Sequence, residues 1–158
     1  MRKVHYNDLG QYHNEHGPAI IENDDEFYYI DDKLHREDGP AIIIFVFGQK
    51  EKFYYQNGLR HRNDGPAIIT KSKLMWFKWG KLHREDGPAI VNMEEGCTFC
   101  PSLGGGPCCG GDGQIEWWLD GGRLTEDEYW EKQKNTEHCG KIFAMKFTKN
   151  YTDGHEKS

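Results

Sequence analysis

The side chains in this sequence that could do chemistry recur in a fixed order. His, Arg and Asp stand as His35-Arg36-x-Asp38, His61-Arg62-x-Asp64 and His83-Arg84-x-Asp86. A guanidinium fork beside an imidazole donor suits anions. One reading is therefore a phosphate or nucleotide site with His35, Arg36, His61, Arg62, His83 and Arg84 as ligands. Repetition favours a different reading. A ligand constellation is needed once, whereas residues present in every copy are those that each copy needs in order to fold. An Asp accepting from a backbone N–H ahead of Gly, and a His bridging two loops, would be sufficient roles.

The cysteines do not repeat. Cys97, Cys100, Cys108 and Cys109 lie within 13 residues, in a segment that also holds Gly104, Gly105, Gly106, Gly110, Gly111 and Gly113. A glycine-rich loop of this length buries no core of its own, so order there requires a cross-link, a metal or a partner. The Cys97-x-x-Cys100 spacing is a favoured half-site for tetrahedral zinc, because both thiolates reach one ion with little strain. Adjacent Cys108 and Cys109 make a weaker second half, with His138 or Cys139 as substitutes for the fourth ligand. Structural zinc, a redox-active or free thiol cluster and disulfides all fit this pattern, in that order of preference for a reducing compartment. A catalytic zinc would need an open position and a base, and nothing singles out Asp112 or Glu116. The Gly run also lacks the Gly-Lys-Ser/Thr of a phosphate loop.

These groups have to be positioned by a polar chain. Of its 158 residues, 36% are hydrophobic and 29% charged, and the mean hydropathy is -0.88. Aromatic rings make up 13% of residues, so Phe, Trp and Tyr must bury what Leu and Val usually bury. No stretch is long and apolar enough to span a membrane, and the start MRKVHYNDLG lacks the apolar core of a secretory signal. Both observations predict a cytoplasmic protein. With 20 basic and 26 acidic residues the net charge is -6, which disfavours nucleic acid as a partner.

Four copies of one phrase organise the chain: YHNEHGPAII from Tyr12, LHREDGPAII from Leu34, RHRNDGPAII from Arg60 and LHREDGPAIV from Leu82. Their histidines, His13, His35, His61 and His83, are spaced by 22, 26 and 22 residues. Seven residues before them stand Tyr6, Tyr28, Tyr54 and Trp76. Turn signals flank each histidine, with Asn57-Gly58 the strongest upstream and Asp-Gly-Pro downstream, where positive φ is expected of a glycine such as Gly65. Between turns lie an aromatic run, such as Phe27-Tyr28-Tyr29-Ile30, and an Ala-Ile-Ile run, both too short for helices and both suited to strands. The predicted fold is mainly β, an antiparallel meander with one hairpin per unit, in which stacked units bury a face that none could bury alone.

Four hairpin units are predicted over residues 1–96, a Cys/Gly-rich insertion over 97–113 and a closing repeat strand over 114–124. A capping helix and strand are predicted over 125–148 and a frayed tail over 149–158. Thr125-x-x-Glu128 has the spacing of a capping box, with the helix running to about Gly140 and covering the last sheet edge. The alternation from Lys141 to Phe147 reads as a further strand.

The run Lys81-Leu82-His83-Arg84-Glu85-Asp86-Gly87-Pro88-Ala89 resembles the MORN-variant repeats common in bacteriophage and giant-virus proteins. The likeness spans residues 4–92 and, more loosely, 115–130. It implies a hairpin-repeat sheet that serves as a binding or scaffolding surface, and a viral protein acting in a host cytoplasm. The first unit departs from that pattern, with Asn14 for Arg and His16 for Asp.

The leading expectation is a non-enzymatic interaction protein with a protein partner. Outward rings flanked by Lys52, Lys73, Lys78 and Lys81 are the candidate surface. The alternative is a small-ligand binder or sponge for a nucleotide or phosphate, and the third reading is a metal-dependent enzyme at the Cys-rich loop.

Overall fold

The computed structural model describes residues 1–92 and 115–134. In chain order its strands begin with β1 (Arg2–Val4), β2 (Ile20–Glu22), β3 (Asp25–Phe27), β4 (Tyr29–Ile30), β5 (Lys33–Leu34) and β6 (Ile42–Val46). There follow β7 (Gln49–Phe53), β8 (Tyr55–Gln56), β9 (Leu59–Arg60), β10 (Ile68–Ile69) and β11 (Lys73–Met75). The last are β12 (Phe77–Lys78), β13 (Lys81–Leu82), β14 (Ile90–Asn92), β15 (Ile115–Leu119) and β16 (Gly122–Leu124), before helix α1 (Glu126–Gln133).

The fold is a mainly β antiparallel meander. One ten-stranded sheet runs β1-β2-β3-β6-β7-β10-β11-β14-β15-β16, and the pairs β4–β5, β8–β9 and β12–β13 are two-residue hairpins beside it. The aromatic strand expected to run unbroken from Phe27 to Ile30 is split at Tyr28, where the chain passes from one ladder to the other. The Tyr28 N–H donates to Ala41 O at 2.8 Å, while its carbonyl accepts from His35 N at 3.1 Å. Tyr54 and Trp76 do the same with Ala67 and His61, and with Ala89 and His83. In the first unit this pivot is His5, not Tyr6: His5 N donates to Ala19 O at 2.8 Å and its carbonyl accepts from His13 N at 3.2 Å.

Neighbouring hairpins are joined by main-chain bonds that recur from unit to unit. Gly58 N donates to Leu34 O, Gly80 N to Arg60 O and Gly121 N to Leu82 O, at 2.8, 2.8 and 2.9 Å. Arg36 N and Arg62 N donate to the carbonyls of Tyr55 and Phe77, each at 3.2 Å. The tight turns have two consecutive positive φ values, as at Asn57 (50°) and Gly58 (80°), the geometry that matches strand twist. Gly65 is different. It is absent from the left-handed positions, so the expected conformational reason for that glycine does not hold.

Packing follows the register. Ile20, Phe27, Ile42, Phe53, Ile68, Met75 and Ile90 are successive cross-strand partners and share one face. Phe77 joins Ala67 and Ile68 there, with Phe53 and Leu82 packed alongside. Ala19, Ala41, Ala67 and Ala89 are completely buried.

Helix α1 has the expected capping box: Thr125 accepts from Glu128 N, and the Glu128 carboxylate accepts from Thr125 N at 2.8 Å. It spans Glu126–Gln133 with Lys134 as its C-cap, and the stretch from 135 to Gly140 lies outside the described residues. The docking residue is Tyr129, fully buried against Trp117 with ring centroids 4.7 Å apart. No helix among the described residues is long and apolar enough to cross a membrane. The expected strand 141–147 and tail 149–158 lie outside the described residues.

Candidate functional site

The arginines of the His-Arg-x-Asp element are held inside their own turns. The guanidinium carbons of Arg36, Arg62 and Arg84 sit 4.0, 4.1 and 3.9 Å above the rings of Tyr28, Tyr54 and Trp76. Each Nε donates to the Asp two residues on, at 2.8, 2.9 and 2.7 Å. Arg62 and Arg84 also reach the carbonyls of Pro66 and Pro88. These bonds hold the carboxyls of Asp38 and Asp64 below the ordinary aspartate range. The glycine after each Asp completes the cradle, since a Cβ on Gly39, Gly65 or Gly87 would lie 3.1, 3.2 or 3.0 Å from the guanidinium carbon. In the first unit Asn14 takes the place of Arg and donates to Pro18 O at 3.0 Å, so the shorter side chain keeps the same carbonyl contact.

The histidines tie units together. Nδ1 of His35 and His61 accepts the backbone N–H of Asn57 and Trp79, at 3.1 and 3.3 Å, whereas Nδ1 of His13 and His83 lies nearest the carboxylates of Asp31 and Asp120, at 2.8 and 3.0 Å, and donates to them. Every partner belongs to the tight turn of the following unit. An accepting Nδ1 places the proton of the neutral ring on Nε2. His61 is 4% exposed and stacks on Trp79 at 3.9 Å. Burial and then Lys78 push its pKa down.

Two of these elements come together at one groove. It has a volume of about 360 Å³ and is lined by Arg62, Asp64, Trp76, Lys78, His83 and Glu85, among others. Its charges are already paired: Glu85 takes Lys78 Nζ at 3.2 Å and His83 Nε2 at 3.1 Å. His83 and then Lys78 hold the Glu85 carboxyl below its ordinary range. An anion entering here would have to displace carboxylates from all the nearby cations. Cys97, Cys100, Cys108, Cys109, His138 and Cys139 lie outside the described residues. Among the described residues, no group of three or more His, Cys, Asp or Glu is placed to hold a metal ion.

The spacing of 26 residues, against 22 on either side, carries a feature that motif reading misses. The four extra residues lengthen β6 and β7 to five residues each, and the pair ends in the turn Phe47-Gly48. Phe47 is 100% exposed with φ 49°, and Phe45 is 44% exposed beneath Lys50. The main chain of this finger is anchored sideways, since Phe45 N donates to Asp25 Oδ1 at 2.9 Å. A large aromatic side chain in left-handed backbone costs about 1–2 kcal/mol, and at full exposure no packing offsets that cost. Trp79 repeats the conformation at φ 49° but stacks on His61.

Comparison with protein-family models, curated proteins and solved structures finds no match to this chain.

Proposed function

We propose that the chain is a non-enzymatic binding protein that recognises another protein through the β6–β7 finger. The observation that carries this reading is Phe47, a fully exposed ring held in left-handed backbone at the tip of the lengthened β6–β7 hairpin. The left-handed backbone closes the hairpin, but Asn or Gly would take it with less strain, and a fully exposed Phe adds no packing in return, which is a mark of function; an aromatic anchor projecting from a rigid ladder is a typical centre of an interface. The His-Arg-x-Asp residues support the reading from the other side, because they are used up in holding units together. The chain also leaves β14 at Asn92 and re-enters at Ile115, on the same end of the sheet as the finger. A zinc-ordered insertion between those points would add recognition beside it. The resemblance to MORN-variant repeats agrees with a binding surface.

The test is quantitative capture from source cells with wild-type and Phe47→Asn chains. Asn tolerates the left-handed conformation, so the variant should melt at the wild-type temperature or above it and lose a defined protein partner. Identical partner sets would place recognition elsewhere. The small-ligand reading rests on the groove between the Arg62 and Arg84 turns. It would gain from a bound phosphate or nucleotide in native mass spectrometry.

A further inference from the structure

The four histidine clasps look alike in sequence but are not chemically equivalent. At His13 and His83 Nδ1 faces a carboxylate of the turn residue, Asp31 Oδ1 at 2.8 Å and Asp120 Oδ1 at 3.0 Å, and since a carboxylate only accepts, Nδ1–H is the donor there. At His35 and His61 the corresponding turn residues are Asn57 and Trp79, and each Nδ1 meets only a backbone N–H. We infer that acid releases the two inner clasps, those of His35 and His61, while the outer two hold.

The reason is donor count. A protonated imidazole carries N–H on both nitrogens and accepts nothing. At His35 and His61, protonation therefore sets Nδ1–H against the N–H of Asn57 or Trp79, and the clasp is lost. At His13 and His83, Nδ1–H already donates to the carboxylate, so the bond that joins the two units is the same with one ring proton or two and gains charge assistance in acid.

The remaining charges around each ring are consistent with this division. His13 has Glu15 at 3.7 Å from Nε2, and His83 has Glu85 at 3.1 Å, shared with Lys78. His35 has Glu37 at 3.9 Å. His61 has Asn63 at the corresponding place, and Lys78 is the charged group acting on its ring. An imidazolium at His61 would gain from the indole face of Trp79, yet the Trp79 N–H would still lose its acceptor.

The consequence is local. Asn57 and Trp79 lie in the turns of β8–β9 and β12–β13, so opening a clasp frees that hairpin from the unit before it. The inference concerns the clasps alone and holds whether or not the finger binds a partner.

Amide exchange of Asp31, Asn57, Trp79 and Asp120 in the full chain, corrected for intrinsic rates, tests it at pH 7.5 and pH 5. Protection of Asn57 should fall about tenfold or more in acid, that of Trp79 should fall less because burial and Lys78 oppose protonation of His61, and Asp31 and Asp120 should change by less than about twofold. Equal loss at all four amides, or loss at none, overturns the inference. Asn57→Asp supplies the missing carboxylate in a turn position where Asp31 and Asp120 already adopt the same backbone. In that variant the exchange of the amide at position 57 should change by less than about twofold between the two pH values, as at Asp31 and Asp120. If it opens as the wild type does, the carboxylate is not what distinguishes the clasps.

Discussion

Replacing Gly87 by Ala separates two accounts of the Asp-Gly-Pro turn by the sign of the effect. Gly87 is not among the left-handed residues, so the backbone argument predicts a gain of about 0.4–1 kcal/mol from a less flexible unfolded chain. Packing predicts the reverse. A Cβ there would lie 3.0 Å from Arg84 Cζ, 3.2 Å from Nε and 3.3 Å from Nη2. The arginine cannot easily withdraw, because it lies 3.9 Å above Trp76, donates to Asp86 at 2.7 Å and reaches Pro88 O at 3.2 Å. Displacing it forfeits a stack of about 0.5–1 kcal/mol. It also weakens two charge-assisted bonds, discounted because Asp86 is 54% exposed. The net expectation is a loss of about 1–2 kcal/mol, or roughly 3–8 °C in melting temperature followed by tryptophan fluorescence. In an Arg84→Ala background the same substitution should be neutral or stabilising. At Gly17, where the nearest atom is Asn14 Nδ2 at 3.5 Å, Ala should also be tolerated. A higher melting temperature for Gly87→Ala in the wild-type background would refute the cradle.

Tyr129→Phe removes a hydroxyl that donates to Arg84 O at 2.8 Å and accepts from Gly87 N at 3.1 Å, and should cost about 1–3 kcal/mol with loss of helix docking in circular dichroism. Burial pushes that hydroxyl up to about 12. Its contribution is therefore full below pH 10 and is lost as pH rises from about 10 through 12, which alkaline melts of wild type and Tyr129→Phe will show as a converging difference. If Cys97, Cys100 and one of Cys108 or Cys109 hold zinc, elemental analysis should find close to one equivalent, and less than about one-half equivalent would count against a tight site. Chelation should then leave the sheet of residues 1–92 folded, because its ladder uses none of those ligands.

The meander was legible because its turns are written in residue types: Asn57-Gly58 can take two positive φ values, and Thr125 with Glu128 closes a capping box. The first unit was misaligned by one residue because Tyr6 matches the aromatic column in type while His5 occupies the pivot, the turn after it being one residue longer. The usual glycine rule assigns Gly65 a positive φ, whereas its role is to admit Arg62, a contact three residues away that φ-based reasoning does not see. The bond between Tyr129 and Arg84 spans 45 positions and leaves no periodic trace. The finger did leave one, in the 26-residue spacing, but exposure of Phe47 follows from strand length in three dimensions.

The central claim is that Arg36, Arg62 and Arg84 hold turns together rather than hold a ligand. Changing all three to Gln, and following both thermal melting and calorimetric titration with inorganic phosphate, tests it most directly. The stacks and the bonds to Asp38, Asp64 and Asp86 predict a variant that melts well below the wild type, and no phosphate binding by either chain. A wild-type chain that binds phosphate, and a variant that loses the binding at an unchanged melting temperature, would contradict the account.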